Sequence, residues 1–149
     1  MRLRTTLLIL SIMGCEAKPP QIGIDQIESL NVKLYKNKDF TDEEHDFSVV
    51  VPRTHWDTIL ALTLPHRSTM VGSDKLRIGV VTIHKMNKTS IAMDIYFSGK
   101  NPCIVSLDGK HFFYAKNTSA GSDGGMELIR RIIAIRKSTS KKGPEDQNQ

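Results

Sequence analysis

The sequence predicts an α+β domain in which a mainly antiparallel sheet of about five or six strands is covered by two helices, as a two-layer sandwich. Short segments of alternating apolar and polar residues follow one another through the middle of the chain, as half-buried strands do. Two other segments repeat their apolar residues at helical spacing. With 39% hydrophobic and 25% charged residues, the composition is that of an ordinary globular domain and argues against disorder.

The first two strands are predicted from period-two alternation. Residues 30–34 form one strand and residues 46–51 form the next. The polar connection, residues 36–45, carries an acidic cluster that lacks the donor spacing and the glycine of a helix-loop-helix calcium site. We therefore expect a solvated hairpin tip there rather than a metal site.

The first helix is predicted after Pro52, which fixes the backbone at its start. Thr54 and Asp57 have the spacing of a capping box, with Asp in place of the usual Glu. One face of this helix carries side chains at helical spacing: Trp56, Ile59, Leu60 and Thr63. We interpret Trp56 as a core anchor rather than a ligand platform, and we expect Pro65 to end the element.

An antiparallel meander is predicted to follow. In its first strand, residues 76–84, the alternation changes phase at Val80 and Val81, which predicts a β-bulge or a strand covered on both faces. The second strand, residues 89–98, alternates cleanly, so every other side chain should face the core.

The meander is predicted to end in a tight hairpin. Its strands are residues 103–107 and 110–114, and Asp108-Gly109 suits the positive φ angles of a two-residue turn. Cys103 is interpreted as a small buried hydrophobe. A disulfide between Cys15 and Cys103 is the alternative, and it requires that Cys15 carry no lipid.

The last helix is predicted over residues 126–136, after a glycine-rich bend at residues 118–125. Four side chains at helical spacing form its apolar face: Leu128, Ile129, Ile132 and Ile133. Glycines before a helix can bind phosphate, but the lysine-serine or lysine-threonine pair of a phosphate-binding loop is missing. We therefore expect a plain connecting loop.

Four basic residues lie on or just after this helix: Arg130, Arg131, Arg136 and Lys137. They form a candidate surface for anionic lipid or an acidic envelope protein. The alternative is a solvated outer face, because Glu127 lies three and four residues before the arginine pair and can neutralise part of its charge.

The first fourteen residues are predicted to be a lipoprotein signal peptide. Arg2 and Arg4 precede an apolar run that is too short to span a bilayer, and Gly14 stands before Cys15. The ending of this run resembles the lipobox of bacterial lipoproteins, in which the cysteine is lipidated and becomes the mature N-terminus. The resemblance implies a palmitate-type lipid on Cys15 and an extracytoplasmic, membrane-anchored location in the cell envelope.

These assignments divide the chain into four parts, which are a signal peptide (1–14), a flexible tether (15–23), a single domain (24–137) and a disordered polar tail (138–149). The formal net charge of +5 falls to +3 (5 − 2) when the two arginines of the leader are removed. This excess is mild and no basic face interleaved with aromatics is evident, so nucleic acid is not expected as a partner.

No catalytic, cofactor or metal motif is recognisable, since the five histidines are scattered. His84 and His111 could still meet across the sheet beside a carboxylate. Two hypotheses follow. The first is a membrane-tethered lipoprotein that acts as a non-enzymatic binding or structural domain. The alternative is an envelope enzyme whose His/carboxylate site is assembled by folding.

The order of predicted elements also forms a pattern over roughly residues 27–136. Its most distinctive segments are Phe47-Ser48-Val49-Val50-Val51-Pro52, Trp56 with Ile59-Leu60, the Leu76 to Ile83 strand, Asp94-Ile95-Tyr96-Phe97, and Asp108-Gly109-Lys110-His111-Phe112-Phe113-Tyr114. This pattern resembles small lipoprotein and secreted domains of unknown function that recur in planctomycete-type bacteria. Because such domains have no assigned activity, the resemblance implies the architecture alone.

Overall fold

The computed structural model describes residues 18–23, 25–37, 45–71, 74–97, 103–116 and 123–140. Several sequence predictions therefore lie outside the described residues. These are the signal peptide, Cys15, the acidic part of the first connection, the first five residues of the glycine-rich bend and the end of the polar tail.

In the described residues, seven strands form one sheet and two helices complete the fold. In chain order the elements are β1 (Ile27–Leu34), β2 (Phe47–Val50), a 3-10 turn (Arg53–His55), α1 (Trp56–Ala61), β3 (Pro65–Thr69), β4 (Leu76–Lys85), β5 (Ser90–Phe97), β6 (Ile104–Ser106), β7 (Phe112–Ala115) and α2 (Gly124–Ser140). Across the sheet the order is β2-β1-β4-β5-β6-β7-β3, with antiparallel neighbours throughout. The predicted α+β class is confirmed, with slightly more strands than expected.

A hydrophobic core lies between one face of the sheet and the two helices. Val32 of β1 and Ile95 of β5 contribute to it from the sheet, while Ile59 of α1 and Ile132 of α2 contribute from the helices. All four side chains are fully buried. The alternation predicted for β5 and the apolar face predicted for α2 are therefore confirmed.

The edge strand β3 was not predicted, because Pro65 was expected only to end the first helix. Instead Pro65 begins a strand that pairs with β7, with Arg67 opposite Tyr114 and Thr69 opposite Phe112. Its residues are mostly polar and partly exposed, so β3 lacks the apolar alternation that identifies a half-buried strand. Proline is tolerated at the first position of an edge strand, where its missing N–H breaks no ladder hydrogen bond.

The first helix begins differently from the prediction. A 3-10 turn precedes α1, and the His55 N–H donates to the Pro52 carbonyl at 2.9 Å. The residue at the N-cap is His55, which makes no side-chain cap, so the predicted capping box at Thr54 is wrong. Trp56 packs against the core and its Nε1–H donates to the Val51 carbonyl at 2.8 Å, in agreement with its predicted role as an anchor.

The phase change predicted for the strand at residues 76–84 corresponds to a β-bulge in β4. Arg77 lies opposite Tyr96 and Gly79 lies opposite Ile95, so one extra residue, Ile78, is inserted. The bulge occurs two to three residues earlier than the sequence suggested. Both Ile78 and the later inward residues of β4 are consequently buried.

The connection between β6 and β7 is longer than predicted. Five residues, 107–111, separate the strands, so the predicted two-residue turn is wrong although Asp108 and Gly109 do lie at the bend. The Asp108 carboxylate accepts hydrogen bonds from the N–H groups of Lys110 and His111, at 2.9 and 2.8 Å. This side-chain bonding stabilises a wider loop than a two-residue turn allows.

Both ends of the domain extend further than predicted. Ile22, expected in a flexible tether, packs against the core, so the described residues 18–23 belong to the folded unit. At the other end, α2 continues to Ser140, and the hydroxyls of Ser138 and Thr139 donate to the Ile135 carbonyl. The first residues of the predicted disordered tail are therefore helical. Within the described residues, neither helix has the length and apolar character needed to cross a bilayer.

Candidate binding surfaces

The arginine pair predicted as an anionic-partner surface is engaged in ion pairs on α2. The Arg131 Nε lies 2.7 Å from the Glu127 carboxylate, and the Arg130 Nη1 lies 3.1 Å from Asp123 and 4.0 Å from Glu127. All of these side chains are partly exposed, so each pair adds little stability. The expected neutralisation by Glu127 is therefore present.

The other two basic residues of this set lie elsewhere on the helix. The Arg136 guanidinium lies 4.2 Å from the centre of the Phe47 ring on β2, and Lys137 is exposed. Arg131 instead lines a groove between the helices. The four basic residues therefore lie on different sides of α2 and do not form one surface.

A groove of about 300 Å³ separates α1 from α2. Its lining comprises His55, Thr58, Ile59, Arg131, Ala134, Ile135 and Ser138. The buried Ile59 and Ile135 give it an apolar part, while the exposed His55 and Arg131 provide polar groups at its margin. No local sequence pattern predicts the groove, since the groove depends on how two helices that are distant in sequence pack together. The available signal was a pair of small residues four apart, Ala134 and Ser138, on the side of α2 that meets α1.

The sheet face opposite the core carries cations stacked on aromatic rings. Four cations lie 5.1 to 5.4 Å from three ring centres: Arg77 and Lys33 over Tyr35, Arg67 over Tyr114, and Lys75 over Phe112. Such contacts each contribute about 0.5–1 kcal/mol when exposed. No local sequence pattern marks this surface, since its residues come from four different segments.

These cations also pair with carboxylates, and the Asp46 Oδ2 lies 3.7 Å from the Lys33 Nζ. Arg77 forms an ion pair with Asp94, and the Tyr96 hydroxyl donates to the Asp94 Oδ2 at 3.4 Å. The hydrogen bond to Asp94 raises the pKa of Arg77. The pKa of Tyr96 is raised mainly by burial and further by the Asp94 charge. Tyr96 therefore stays a neutral donor, and Asp94 is already occupied by its neighbours.

His84 lies on this same face, between two polar neighbours. Its Nε2 is 3.2 Å from the Asn31 Nδ2, and its Nδ1 is 2.7 Å from the Ser90 Oγ. Both ring nitrogens of His84 therefore have polar partners. The buried Asn31 Oδ1 has no hydrogen-bond partner. No carboxylate hydrogen bond to His84 is found in the part of the chain described.

His111 is paired with a carboxylate in the loop between β6 and β7. Its Nδ1 lies 2.6 Å from the Asp108 Oδ2. Hydrogen bonds from His111, first from its backbone N–H and then from its ring, lower the pKa of Asp108. His111 and Asp108 line a cavity of about 230 Å³ with Lys18, Pro20, Leu107 and Phe113, whereas His84 lines a different one. The two histidines considered together in the sequence therefore do not share a site.

A nearby hydroxyl does not complete a hydrolytic triad. The Ser106 Oγ lies 3.3 Å from the Asp108 Oδ1 and accepts the Gly109 N–H at 2.9 Å. In this arrangement the carboxylate lies between the serine and the histidine, whereas nucleophilic activation requires the histidine between them. Ser106 is also fully buried, so its hydroxyl stabilises the β6–β7 loop.

Cys103 is fully buried next to β6, as predicted, and desolvation raises the pKa of its thiol to about 12. Cys15 lies outside the described residues, so the alternative disulfide is not tested. Among the residues with described positions, no three His, Cys, Asp or Glu side chains form a group that could hold a metal ion. No protein-family model, curated protein or solved structure matches this chain.

Proposed function

We propose that this chain is a lipid-anchored domain of the cell envelope that binds an envelope component without catalysing a reaction. The lipid is carried by Cys15, after the basic and apolar leader of residues 1–14. Each buried methylene contributes about 0.8 kcal/mol, so several acyl chains on one cysteine give a practically permanent attachment.

The observation that best supports this proposal is where the folded unit begins. Residues 18–22 lie against the domain, where Pro20 lines a cavity with Phe113 and Ile22 packs on the core. Only three residue steps separate Lys18 from Cys15, which is a reach of about 10 Å at full extension. A lipid on Cys15 would therefore hold the domain at the bilayer surface rather than on a long tether.

Metabolic labelling with a palmitate analogue tests the anchor. The wild-type chain should take up label and partition with membranes, whereas Cys15→Ser should lose both. Cys103→Ala is the matched control, because it removes the only other cysteine. Label that survives Cys15→Ser, or that is absent from the wild type, would contradict the proposal.

The second candidate is an envelope enzyme, and the observation that favours it is the His111–Asp108 pair beside a small cavity. Both side chains are exposed and their bonds organise the loop, so the binding domain is preferred. Hydrolytic turnover by the purified chain that disappears in His111→Gln but not in His84→Gln would favour the enzyme instead.

A further inference from the structure

A polar cleft of about 360 Å³ lies on the sheet face opposite the core. The strand registers explain its position. Ser29 of β1 lies opposite His84 of β4, and His84 lies opposite Ser90 of β5, so three neighbouring strands form one polar row. In the next row of the same face, Asn31 of β1 lies opposite Thr82 of β4. Most of these side chains are short, so they leave a depression in the face.

Every residue that lines this cleft has a polar side chain. Most ligand pockets are lined mainly by apolar side chains, with a few polar groups that orient the ligand. An apolar ligand would bury little apolar surface here and would displace water from polar groups without replacing its hydrogen bonds. The cleft therefore favours a hydrophilic ligand that is held by hydrogen bonds and charge.

The uncharged groups of the cleft suit a ligand that carries hydroxyls. The hydroxyls of Ser29 and Ser90 and the amide of Asn31 can each donate and accept hydrogen bonds, as the hydroxyls of a sugar can. Three of the lining side chains are also ordered before a ligand arrives, since His84 bonds to Asn31 at 3.2 Å and to Ser90 at 2.7 Å. Such order lowers the entropy cost of binding.

One acceptor at the cleft lacks a partner. The Asn31 Oδ1 is buried and forms no hydrogen bond, although the same amide contacts His84 through Nδ2. An unpaired buried acceptor is unfavourable and uncommon in a native fold. The oxygen is covered, so a ligand hydroxyl reaches it only after the amide rotates. A hydroxyl that donates to the rotated amide would supply the missing hydrogen bond.

Charge at the cleft favours an anionic ligand. Lys85, Lys88 and Glu28 line it, so the positive charges exceed the negative by one. Within the described part of the chain, neither lysine forms an ion pair with a carboxylate. An ammonium group on a flexible stem can therefore turn toward an anionic group in the cleft, while the Glu28 carboxylate can accept from ligand hydroxyls.

Lys88 occupies a backbone conformation that favours glycine. Its φ is 68°, and no other described residue except a glycine has a positive φ. This conformation brings the Cβ atom too close to the backbone and costs conformational energy. The lysine charge is thus placed beside the cleft at a position where a glycine would be less strained.

We infer that the cleft binds an acidic sugar, which is a sugar unit that carries a carboxylate or a phosphate group. Lys85 and Lys88 pair with the anionic group, while Ser29, Ser90 and Asn31 form hydrogen bonds with the sugar hydroxyls. This inference rests on the proposed binding function and deepens it, because it names the chemical class of the envelope component.

Binding is measured on the purified full chain by following backbone amide shifts in two-dimensional NMR spectra. The ligands are glucuronate, which carries a carboxylate, and glucose 6-phosphate. Both should shift the amides of Ser29, His84 and Ser90, with a Kd on the order of 1 mM, as expected for a small ligand held by a few polar contacts. Glucose and inorganic phosphate each supply only half of the contacts and should bind about tenfold more weakly.

A pair of lysine variants tests the charge. Lys88→Gln should weaken binding of both acidic sugars about three- to fivefold, which is the contribution of an exposed charge pair. Lys88→Gly should do the same while relieving the strained φ, so a loss of folding cannot explain the result. Lys36→Gln, the matched control, changes an exposed lysine just beyond the opposite end of β1 and should leave the affinity unchanged.

The hydroxyl contacts are tested at Ser90, which is exposed and lies at the beginning of β5. Ser90→Val removes the hydroxyl and keeps a residue type that favours strands. It should weaken glucose as well as the acidic sugars, whereas Lys88→Gln should weaken only the acidic sugars. Equal weakening of all three sugars by both variants would contradict the assigned roles.

The remaining outcomes separate this inference from the proposed lipid anchor. Absence of shifts at the cleft, or equal binding of glucose and the acidic sugars, overturns the inference even if palmitate labelling of Cys15 succeeds. Inorganic phosphate that binds as tightly as glucose 6-phosphate also overturns it, because the cleft would then be a simple anion site. Selective binding of the acidic sugars supports the inference even if the labelling fails.

Discussion

Gly79 lies where the backbone of β1 leaves no room for a side chain on β4. A Cβ atom at this position would lie 2.2 Å from the Lys33 carbonyl oxygen and 3.1 Å from the Leu34 side chain. Since the first contact is with backbone, it cannot be relieved by a rotamer change. The bulge at Ile78 and this close approach occur together, which is a common reason for glycine within a strand.

Gly79→Ala should therefore destabilise the fold by about 3 kcal/mol or more, as overpacking against a rigid neighbour does. Urea denaturation monitored by Trp56 fluorescence measures the change. Gly109→Ala is the control, because its added Cβ meets nothing within 4 Å and only its φ of 69° opposes the substitution. That variant should lose about 1 kcal/mol. Equal losses in the two variants would contradict the steric argument.

Cys103 should be chemically inert in the native state. Its thiol is fully buried and its pKa of about 12 leaves very little thiolate at neutral pH. Alkylation by iodoacetamide at pH 8, followed by mass spectrometry, should modify the folded domain far more slowly than the urea-unfolded chain. Similar rates in both states would show that the strand next to Cys103 opens readily.

At the scale of elements, the β6–β7 loop depends on one carboxylate. The pKa of Asp108 is lowered from its ordinary value of 3.8 by hydrogen bonds from the His111 N–H, the His111 ring and the Lys110 N–H. A carboxylate whose pKa is lower in the folded state stabilises the fold above its unfolded pKa. This stabilisation is lost as the pH falls below about 3.8 toward the folded pKa.

Asp108→Asn should therefore lower the melting temperature at pH 7, and the difference from wild type should shrink as the pH is lowered below about 4. Melting curves over a pH series measure this. Asp57→Asn, an exposed carboxylate on α1, serves as the control. A difference between Asp108→Asn and wild type that persists undiminished at pH 2 would contradict the assigned role.

An element could be predicted from the sequence where a local pattern determines it, and could not where tertiary packing does. The alternation of β5 and the apolar face of α2 are local and were predicted correctly, and the bulge in β4 was predicted within three residues. β3 is held by pairing with β7 rather than by its own pattern, so it was missed. The two-residue turn failed because Asp108 satisfies the backbone of a longer loop instead.

The candidate surfaces were less predictable, because each one combines residues distant in sequence. The groove requires α1 and α2 to pack side by side, and the cation-covered sheet face requires the pairing of strands distant in sequence. The arginines of α2 could be counted in the sequence, but their ion pairs and their distribution around the helix depend on the fold. His84 and His111 needed the sheet order to show that they line different cavities.

At the scale of the whole molecule, the N-terminal segment is part of the folded layer. Ile22 packs against the core, and residues 18–22 line cavities with the β6–β7 loop and with Leu64 at the beginning of β3. The segment therefore contributes tertiary contacts to the fold, although its two prolines and polar residues suggested a tether.

Ile22→Ala should cost about 1–2 kcal/mol of folding free energy, which is the loss expected for a partly buried isoleucine. Gln21→Ala, its exposed neighbour, should change stability by less than about 0.5 kcal/mol. Denaturant titration of the two variants measures both values. If both substitutions were silent, the segment would behave as the flexible tether that the sequence suggested.

The two edges of the open sheet have a consequence for how copies of this chain meet one another. β2 has only four residues, and β3 starts with Pro65, carries the charged Arg67 and departs from regular register between them. Short, irregular and charged edges are poor templates for another chain to extend. Neighbouring copies should therefore resist polymerising edge to edge, even at high concentration.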